Sequence, residues 1–135
     1  MYLFYVPGLS TATMHTLILI TAAPTTRLAY HAFQLACAMK SKQQSFEVFF
    51  YQDAVSIANA QLWHAEDELN LTQAWQTLGI PLNVCVSAAL SRGVSDVENA
   101  KRHHLAHDNL AEQYTLTGLG TLAEAIKSAD HLLQF

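Results

Sequence analysis

Residues 16–21 read Thr-Leu-Ile-Leu-Ile-Thr, an apolar run without the alternation of polar and apolar side chains that a half-exposed strand shows. A strand that is apolar on both faces is typical of a parallel sheet covered by helices. A turn follows at residues 22–26, and residues 27–40 have apolar side chains at helical spacing, namely Leu28, Ala32, Leu35 and Ala36. The sequence therefore predicts a buried first strand followed by a helix.

The rest of the chain alternates between strand-forming runs and segments with helical spacing. The further predicted strands are residues 46–51, 82–86, 114–117 and 131–135. The further predicted helices are residues 54–62, 71–78, 95–107 and 121–129. The last two are predicted to begin at capping boxes, Ser95 with Glu98 and Thr121 with Glu124. This order predicts a three-layer α/β fold, with helices on both faces of a mainly parallel five-stranded sheet.

Composition narrows the classes of function. Of the 135 residues, 51% are hydrophobic and 13% are charged, against about 25% charged in an average soluble domain. The formal net charge of -4 has the wrong sign for a protein that binds a phosphate backbone, so direct nucleic-acid binding is not expected. No apolar run reaches the roughly 18 residues of a membrane span. The low charge favours an oligomer, in which another protein chain covers apolar surface, over a compact monomer.

The first 13 residues differ in character from the rest of the chain. They contain no basic residue and only a short apolar stretch before Gly8, so neither a signal peptide nor a membrane anchor is predicted. Met14 directly precedes the first strand. We expect a single domain over residues 14–135. Residues 1–13 are interpreted as an N-terminal extension, either non-native or an arm that packs on a neighbour.

The chain has two cysteines and no CxxC pair, which predicts reduced thiols and a cytoplasmic protein. Cys85 lies near the carboxyl end of a predicted strand, where α/β sheets place their functional crevice. The N–H groups of the next turn, together with Arg92, are expected to stabilise a thiolate there. Cys85 is thus a candidate reactive thiol, with an inert buried cysteine as the alternative. Cys37 lies within the first helix and is expected to fill the core.

Two further motifs carry weaker signals. His103 and His107 are four residues apart, a spacing that can hold zinc, with His104 and Asp108 adjacent. A solvated polar face is the favoured interpretation, because no HExxH glutamate or cysteine pair accompanies them. Residues 118–123 match GxGxxA but come too close to the end of the sequence for a dinucleotide site. No cofactor and no metal are predicted.

Residues 82–94 (LNVCVSAALSRGV) resemble the active-cysteine segment of the DsrE family. Other parts of the chain agree with this resemblance in order and spacing. Residues 49–51 with 54–55 resemble the second strand and its exit, 74–75 the helix before the cysteine strand, and 115–125 with 134–135 the closing stretch. The chain is therefore similar to the DsrE family over residues 14–135, and most similar to its sulfur-relay members.

The resemblance implies a sulfurtransferase subunit in a heterohexamer that holds two copies each of this chain, a TusB-like subunit and a TusC-like subunit. Cys85 would accept sulfane sulfur as a persulfide from a TusA-like carrier. It would pass the sulfur to a TusE-like acceptor that serves 2-thiolation of the wobble uridine of tRNA. The alternatives are a DsrE-type subunit of a dissimilatory sulfur-oxidation complex and a non-catalytic scaffold subunit.

Overall fold

The apolar runs form one five-stranded sheet in the computed structural model, which describes residues 13–135. The strands are β1 (His15–Ile20), β2 (Ser45–Phe50), β3 (Leu82–Cys85), β4 (Tyr114–Thr117) and β5 (His131–Gln134). Their order across the sheet is β4-β3-β2-β1-β5, and every neighbouring pair is parallel. The predicted α/β fold with a five-stranded parallel sheet is confirmed.

The helices connect these strands. They are α1 (Arg27–Ser41), a 3₁₀ helix (Gln52–Ala58), α2 (Leu71–Gln76), α3 (Val86–Ser91), α4 (Val97–Arg102) and α5 (Leu119–Ser128). Strands β1 to β4 are added in one direction, and β5 then returns to the far side of β1. Because crossovers between parallel strands are right-handed, this return places α5 on the face opposite α1 to α4. The three-layer arrangement follows from that reversal.

An aromatic cluster fills the space between α1, α2 and the sheet. The Trp75 ring of α2 makes edge-on contacts with Phe33 and Phe50, each with a centroid distance of 5.3 Å. Phe50 also contacts Tyr114 of β4, whose hydroxyl donates a hydrogen bond to the Thr72 carbonyl at 3.0 Å. Such aromatic pairs stabilise a core beyond their buried area. The cluster fixes α2, and with it the segment that leads into β3.

We expect the Tyr114→Phe variant to lose about 1–2 kcal/mol of unfolding free energy at pH 7, because the buried Thr72 carbonyl loses its donor. Burial raises the pKa of Tyr114 in the folded chain, whereas an unfolded tyrosine titrates near pH 10, about its ordinary pKa. The wild type therefore loses stability as pH rises above that value, by about 1.4 kcal/mol per pH unit. The difference in unfolding free energy between Tyr114→Phe and the wild type, measured by urea titration, is therefore expected to become smaller at alkaline pH.

The control is Tyr30→Phe, because Tyr30 is 41% exposed. A constant difference at all pH values would contradict this account.

The predicted capping box at Ser95 is wrong. Asp96 is the N-cap of α4, and its carboxylate accepts a hydrogen bond from the Asn99 N–H at 2.8 Å. Ser95 is buried, and its hydroxyl donates to the Asp96 carbonyl instead. A charged acceptor at the helix start is favoured by the helix dipole, which explains the shift by one residue. The helix also ends at Arg102 rather than near His107.

The predicted capping box at Thr121 is also wrong. Helix α5 begins at Leu119 after the N-cap Gly118, so Thr121 already lies in the first turn. Its hydroxyl is 2.6 Å from the hydroxyl of Thr117, at the end of β4. The contact joins the helix to the strand before it.

Two other segments differ from their predictions. The helix predicted at residues 54–62 is the 3₁₀ helix Gln52–Ala58. In α1 the buried stripe consists of Ala29, Ala32, Ala36 and Met39, whereas Leu28 is 53% exposed. Small side chains let the helix approach the sheet closely, and this packing selects the alanine stripe over the neighbouring leucine.

Residues 13–135 contain no helix that is both long enough and apolar enough to cross a membrane. The predicted extension, residues 1–13, lies outside the described residues except for Thr13.

Candidate functional site

Cys85 lies at the junction of a strand and a helix. It is the last residue of β3 and the N-cap of α3, and it pairs in register with Thr117 at the end of β4. The carboxyl ends of β2 and β4 flank it on the two sides. The structure thus places Cys85 at the carboxyl edge of the sheet, where the sequence located it and where α/β proteins place ligands.

The side chain of Cys85 is covered in the isolated chain. Only 1% of the residue is exposed, and it belongs to the main apolar core. It makes no capping hydrogen bond to α3, so the expected contact with the N–H groups of that turn is not seen for this thiol. Because sulfur exchange requires access to the attacking sulfur, a reacting partner can reach Cys85 only after the structure around it moves.

Arg92, which was expected to help stabilise a thiolate at Cys85, forms an ion pair with Asp53. Its Nη2 and Nε atoms donate to Asp53 Oδ1 at 3.0 and 3.2 Å, and Nη1 donates to the Ala88 carbonyl at 3.2 Å. The guanidinium thus joins the end of α3 to the 3₁₀ helix that follows β2. Asp53 was not among the predicted site residues, although its position just after a predicted strand put it at the same edge of the sheet as Cys85.

Breaking this link should increase access to Cys85. The Asp53 and Arg92 side chains are 69% and 34% exposed, and exposed ion pairs contribute about 0.2–1 kcal/mol. Asp53→Ala is therefore expected to raise the rate of Cys85 alkylation by about 1.5-fold to 5-fold. Labelling with iodoacetamide in a Cys37→Ser background, followed by mass spectrometry, measures that rate. Glu98→Ala, which removes the exposed Glu98–Arg102 pair of α4, is the matched control, and an equal increase in both variants would contradict the explanation.

Cys37 is half-buried on α1. Desolvation by burial raises the pKa of its thiol, so the thiolate, which is the reactive form, is disfavoured there. The expectation that Cys37 fills the core is wrong, because the residue lies beside the buried stripe of α1 and is not part of the apolar core. Cys37 is therefore a suitable control for experiments on Cys85.

The other predicted motifs do not assemble into a site. His103 is the C-cap of α4, and His103, His104 and His107 are all exposed. Across residues 13–135, no three His, Cys, Asp or Glu side chains are grouped so that they could hold a metal ion. Gly118 ends the loop before α5, the last crossover of the sheet. This is not the first βαβ unit that a dinucleotide fingerprint requires.

Comparisons with known proteins agree with this arrangement. The DsrE/DsrF-like family matches residues 14–135. Sulfurtransferase TusD of Erwinia tasmaniensis is 52% identical over 92 residues, which are 65% of this chain and 72% of that protein. This similarity supports the prediction that the chain is a sulfurtransferase.

Two solved structures share the fold. The ychN protein from E. coli has a TM-score of 0.73 at 20% identity, and the alignment covers 90% of this chain and 99% of that one. The conserved protein of unknown function BT1422 from Bacteroides thetaiotaomicron has a TM-score of 0.58 at 16% identity, with 90% and 94% covered. At these identities the two structures bear on the fold alone. The family match over residues 14–135 and the 52% identity lead to one assignment: the chain belongs to the DsrE/DsrF-like family and is similar to TusD.

Proposed function

We propose that this chain is a sulfur-relay subunit that carries sulfane sulfur as a persulfide on Cys85. The observation that carries the proposal is the position of Cys85 between β3 and α3, at the carboxyl edge of the sheet. It lies within the segment that resembles the active-cysteine segment of the family. The 52% identity to a sulfurtransferase supports the same chemistry.

The chemistry needs only a thiolate and access to it. The Cys85 thiolate attacks the outer sulfur of a donor persulfide, so a bond forms between Cys85 Sγ and that sulfur while the donor S–S bond breaks. The donor leaves as a thiolate, and the proton lost by Cys85 passes to solvent or to that thiolate. An acceptor thiolate later attacks the outer sulfur, and Cys85 leaves in its turn. Each step is an exchange without net oxidation, so no cofactor and no catalytic base are required.

The partners proposed are a TusA-like donor and a TusE-like acceptor, with TusB-like and TusC-like subunits completing a heterohexamer in the cytoplasm. The pathway proposed is 2-thiolation of the tRNA wobble uridine. Exposed apolar side chains support an assembly. Leu132 and Leu133 of the edge strand β5 are 47% and 42% exposed, and Ile126 of α5 is 46% exposed. An edge strand that exposes leucines is suited to being covered by another chain.

A second candidate is a non-catalytic scaffold subunit, and the 1% exposure of Cys85 favours it. One experiment separates the two functions. The full chain is incubated with a sulfur-loaded TusA-like carrier, with and without the sister subunits, and its intact mass is measured before peptide mapping. The relay function predicts one added sulfur atom, located on Cys85 and removed by a reductant. An unmodified Cys85 in the complete assembly would leave the scaffold function as the conclusion.

A further inference from the structure

The loop between the 3₁₀ helix and α2 exposes apolar side chains to solvent. Trp63 is 82% exposed, the largest fraction among the exposed large hydrophobic residues that the structure describes, and Leu69 is 53% exposed. We call residues 62–69 the tryptophan loop. Tryptophan is strongly enriched among residues that dominate protein interfaces. The exposed Trp63 side chain therefore indicates a surface that binds a partner protein.

A shallow cleft lies beside the Trp63 side chain. It is lined by Pro24 of the β1–α1 turn, by Leu62 and Leu69, and by Leu71 at the start of α2. Polar side chains at its edge come from His64 and Glu68. The tryptophan loop therefore offers an apolar centre with a polar rim, the usual composition of a protein interface.

The charge of the tryptophan loop is uniformly negative. Glu66, Asp67 and Glu68 are consecutive and exposed, and none of the three takes part in an ion pair within residues 13–135. The sequence has no lysine or arginine between residues 43 and 91. The partner that complements this surface has lysine and arginine side chains around an apolar pocket.

The tryptophan loop is linked to the site of Cys85. It follows the 3₁₀ helix after three residues, 59–61, and the Asp53–Arg92 pair joins that helix to the end of α3. At the base of the loop, the Ala60 N–H donates to the Asn109 carbonyl at 2.8 Å, and the Ala111 N–H donates to the Ala58 carbonyl at 2.7 Å. These bonds anchor the loop to the segment that leads into β4, the neighbour of β3. The loop also shares a cleft with Pro24 and Thr25 of the turn that follows β1, so a protein docked on it lies at the carboxyl edge of the sheet.

We propose that the tryptophan loop is the docking surface for the protein that delivers sulfur to Cys85, and that this donor inserts Trp63 into an apolar pocket ringed by lysine and arginine. The inference rests on the proposed function. The donor is favoured over the acceptor because it must bring its sulfur to the Sγ atom of Cys85, which is 1% exposed, whereas an acceptor attacks the outer sulfur, one bond further from the core. Docking on the tryptophan loop supplies the binding energy needed to expose the buried Cys85 thiol.

Two sulfur sources test the docking surface separately from the chemistry. The first is the sulfur-loaded TusA-like carrier, and the second is glutathione persulfide, which is too small to need a docking surface. We expect Trp63→Ala to slow sulfur uptake from the protein carrier at least tenfold at limiting concentration and to leave uptake from glutathione persulfide within twofold. The triple variant Glu66→Gln, Asp67→Asn, Glu68→Gln should lose most of the salt dependence that the wild type shows with the carrier. Val97→Ala, at an apolar residue of α4 that is 61% exposed, is the matched control.

The outcomes distinguish the two proposals. If wild-type chain in its assembly takes sulfur from neither source, the proposed function fails. If it takes sulfur from both and Trp63→Ala behaves as the wild type does with the carrier, only the docking surface is wrong. If Trp63→Ala loads normally but discharges slowly to a TusE-like acceptor, the loop serves the acceptor and the assignment to the donor is overturned. Circular dichroism of each variant confirms that the fold is retained.

Discussion

Replacing Cys85 by serine is expected to abolish persulfide formation, lowering sulfur uptake from a loaded carrier by at least about a hundredfold. A serine hydroxyl has nearly the same size as a thiol but does not ionise near neutral pH, so it cannot attack the outer sulfur of a persulfide. The measurement is the initial rate of mass increase by one sulfur atom, with the sister subunits present. Because Cys85 is 1% exposed, the polar substitution also requires a check of the melting temperature.

Cys37→Ser is the matched control, since Cys37 is the other cysteine of the chain. The raised pKa of the Cys37 thiol disfavours its thiolate, so this variant should take up sulfur within twofold of the wild-type rate. Uptake by Cys85→Ser at the wild-type rate would exclude Cys85 as the carrier. If sulfur is found on Cys37 in the Cys85→Ser variant, the sulfur-carrying cysteine is the one on α1.

The largest loss of stability is expected from Trp75→Ala, at about 3–5 kcal/mol. Trp75 is 1% exposed and loses its edge-on contacts with Phe33 and Phe50. Because a domain of this size is stable by about 5–15 kcal/mol in total, the variant is expected to lose a large share of its stability. Urea unfolding followed by circular dichroism measures the difference, provided that the slope with urea is unchanged.

The chain contains its own control for this substitution. Trp63→Ala removes a side chain of the same type from a position that is 82% exposed, and surface substitutions of this kind change stability by about 0.5 kcal/mol or less. Similar losses in the two variants would contradict the burial argument. If Trp75→Ala loses less than about 1 kcal/mol of unfolding free energy, the other aromatic side chains have repacked into the space left by the Trp75 ring.

The strands and the position of Cys85 were predictable because they depend on local pattern. The apolar run at residues 16–21 became β1 (His15–Ile20), and Cys85 ended its strand as expected. The first residues of the helices were less predictable, since Asp96 and Ser95 are adjacent potential caps. Which of them caps the helix depends on the path of the chain rather than on its composition.

The surroundings of Cys85 were not predictable from local pattern. The Asp53–Arg92 pair joins residues that are 39 positions apart, and neither residue belongs to a motif that points to the other. The burial of Cys85 in the apolar core depends on tertiary packing, which no periodicity in the sequence reports. The stripe of alanines on α1, which displaced the predicted Leu28, likewise depends on how closely helix and sheet approach.

The position of β5 has a consequence for how the chain folds during synthesis. Among the strands of residues 13–135, the first in sequence, β1, lies between β2 and the last in sequence, β5, and the His15 N–H donates to Asp130 Oδ2 across 115 positions of sequence. One edge of β1 therefore remains unpaired until the ribosome has released residues 131–134. An unpaired strand edge templates aggregation, and contacts between distant parts of a chain form slowly. Newly made chains are expected to depend on chaperones until that last strand is in place.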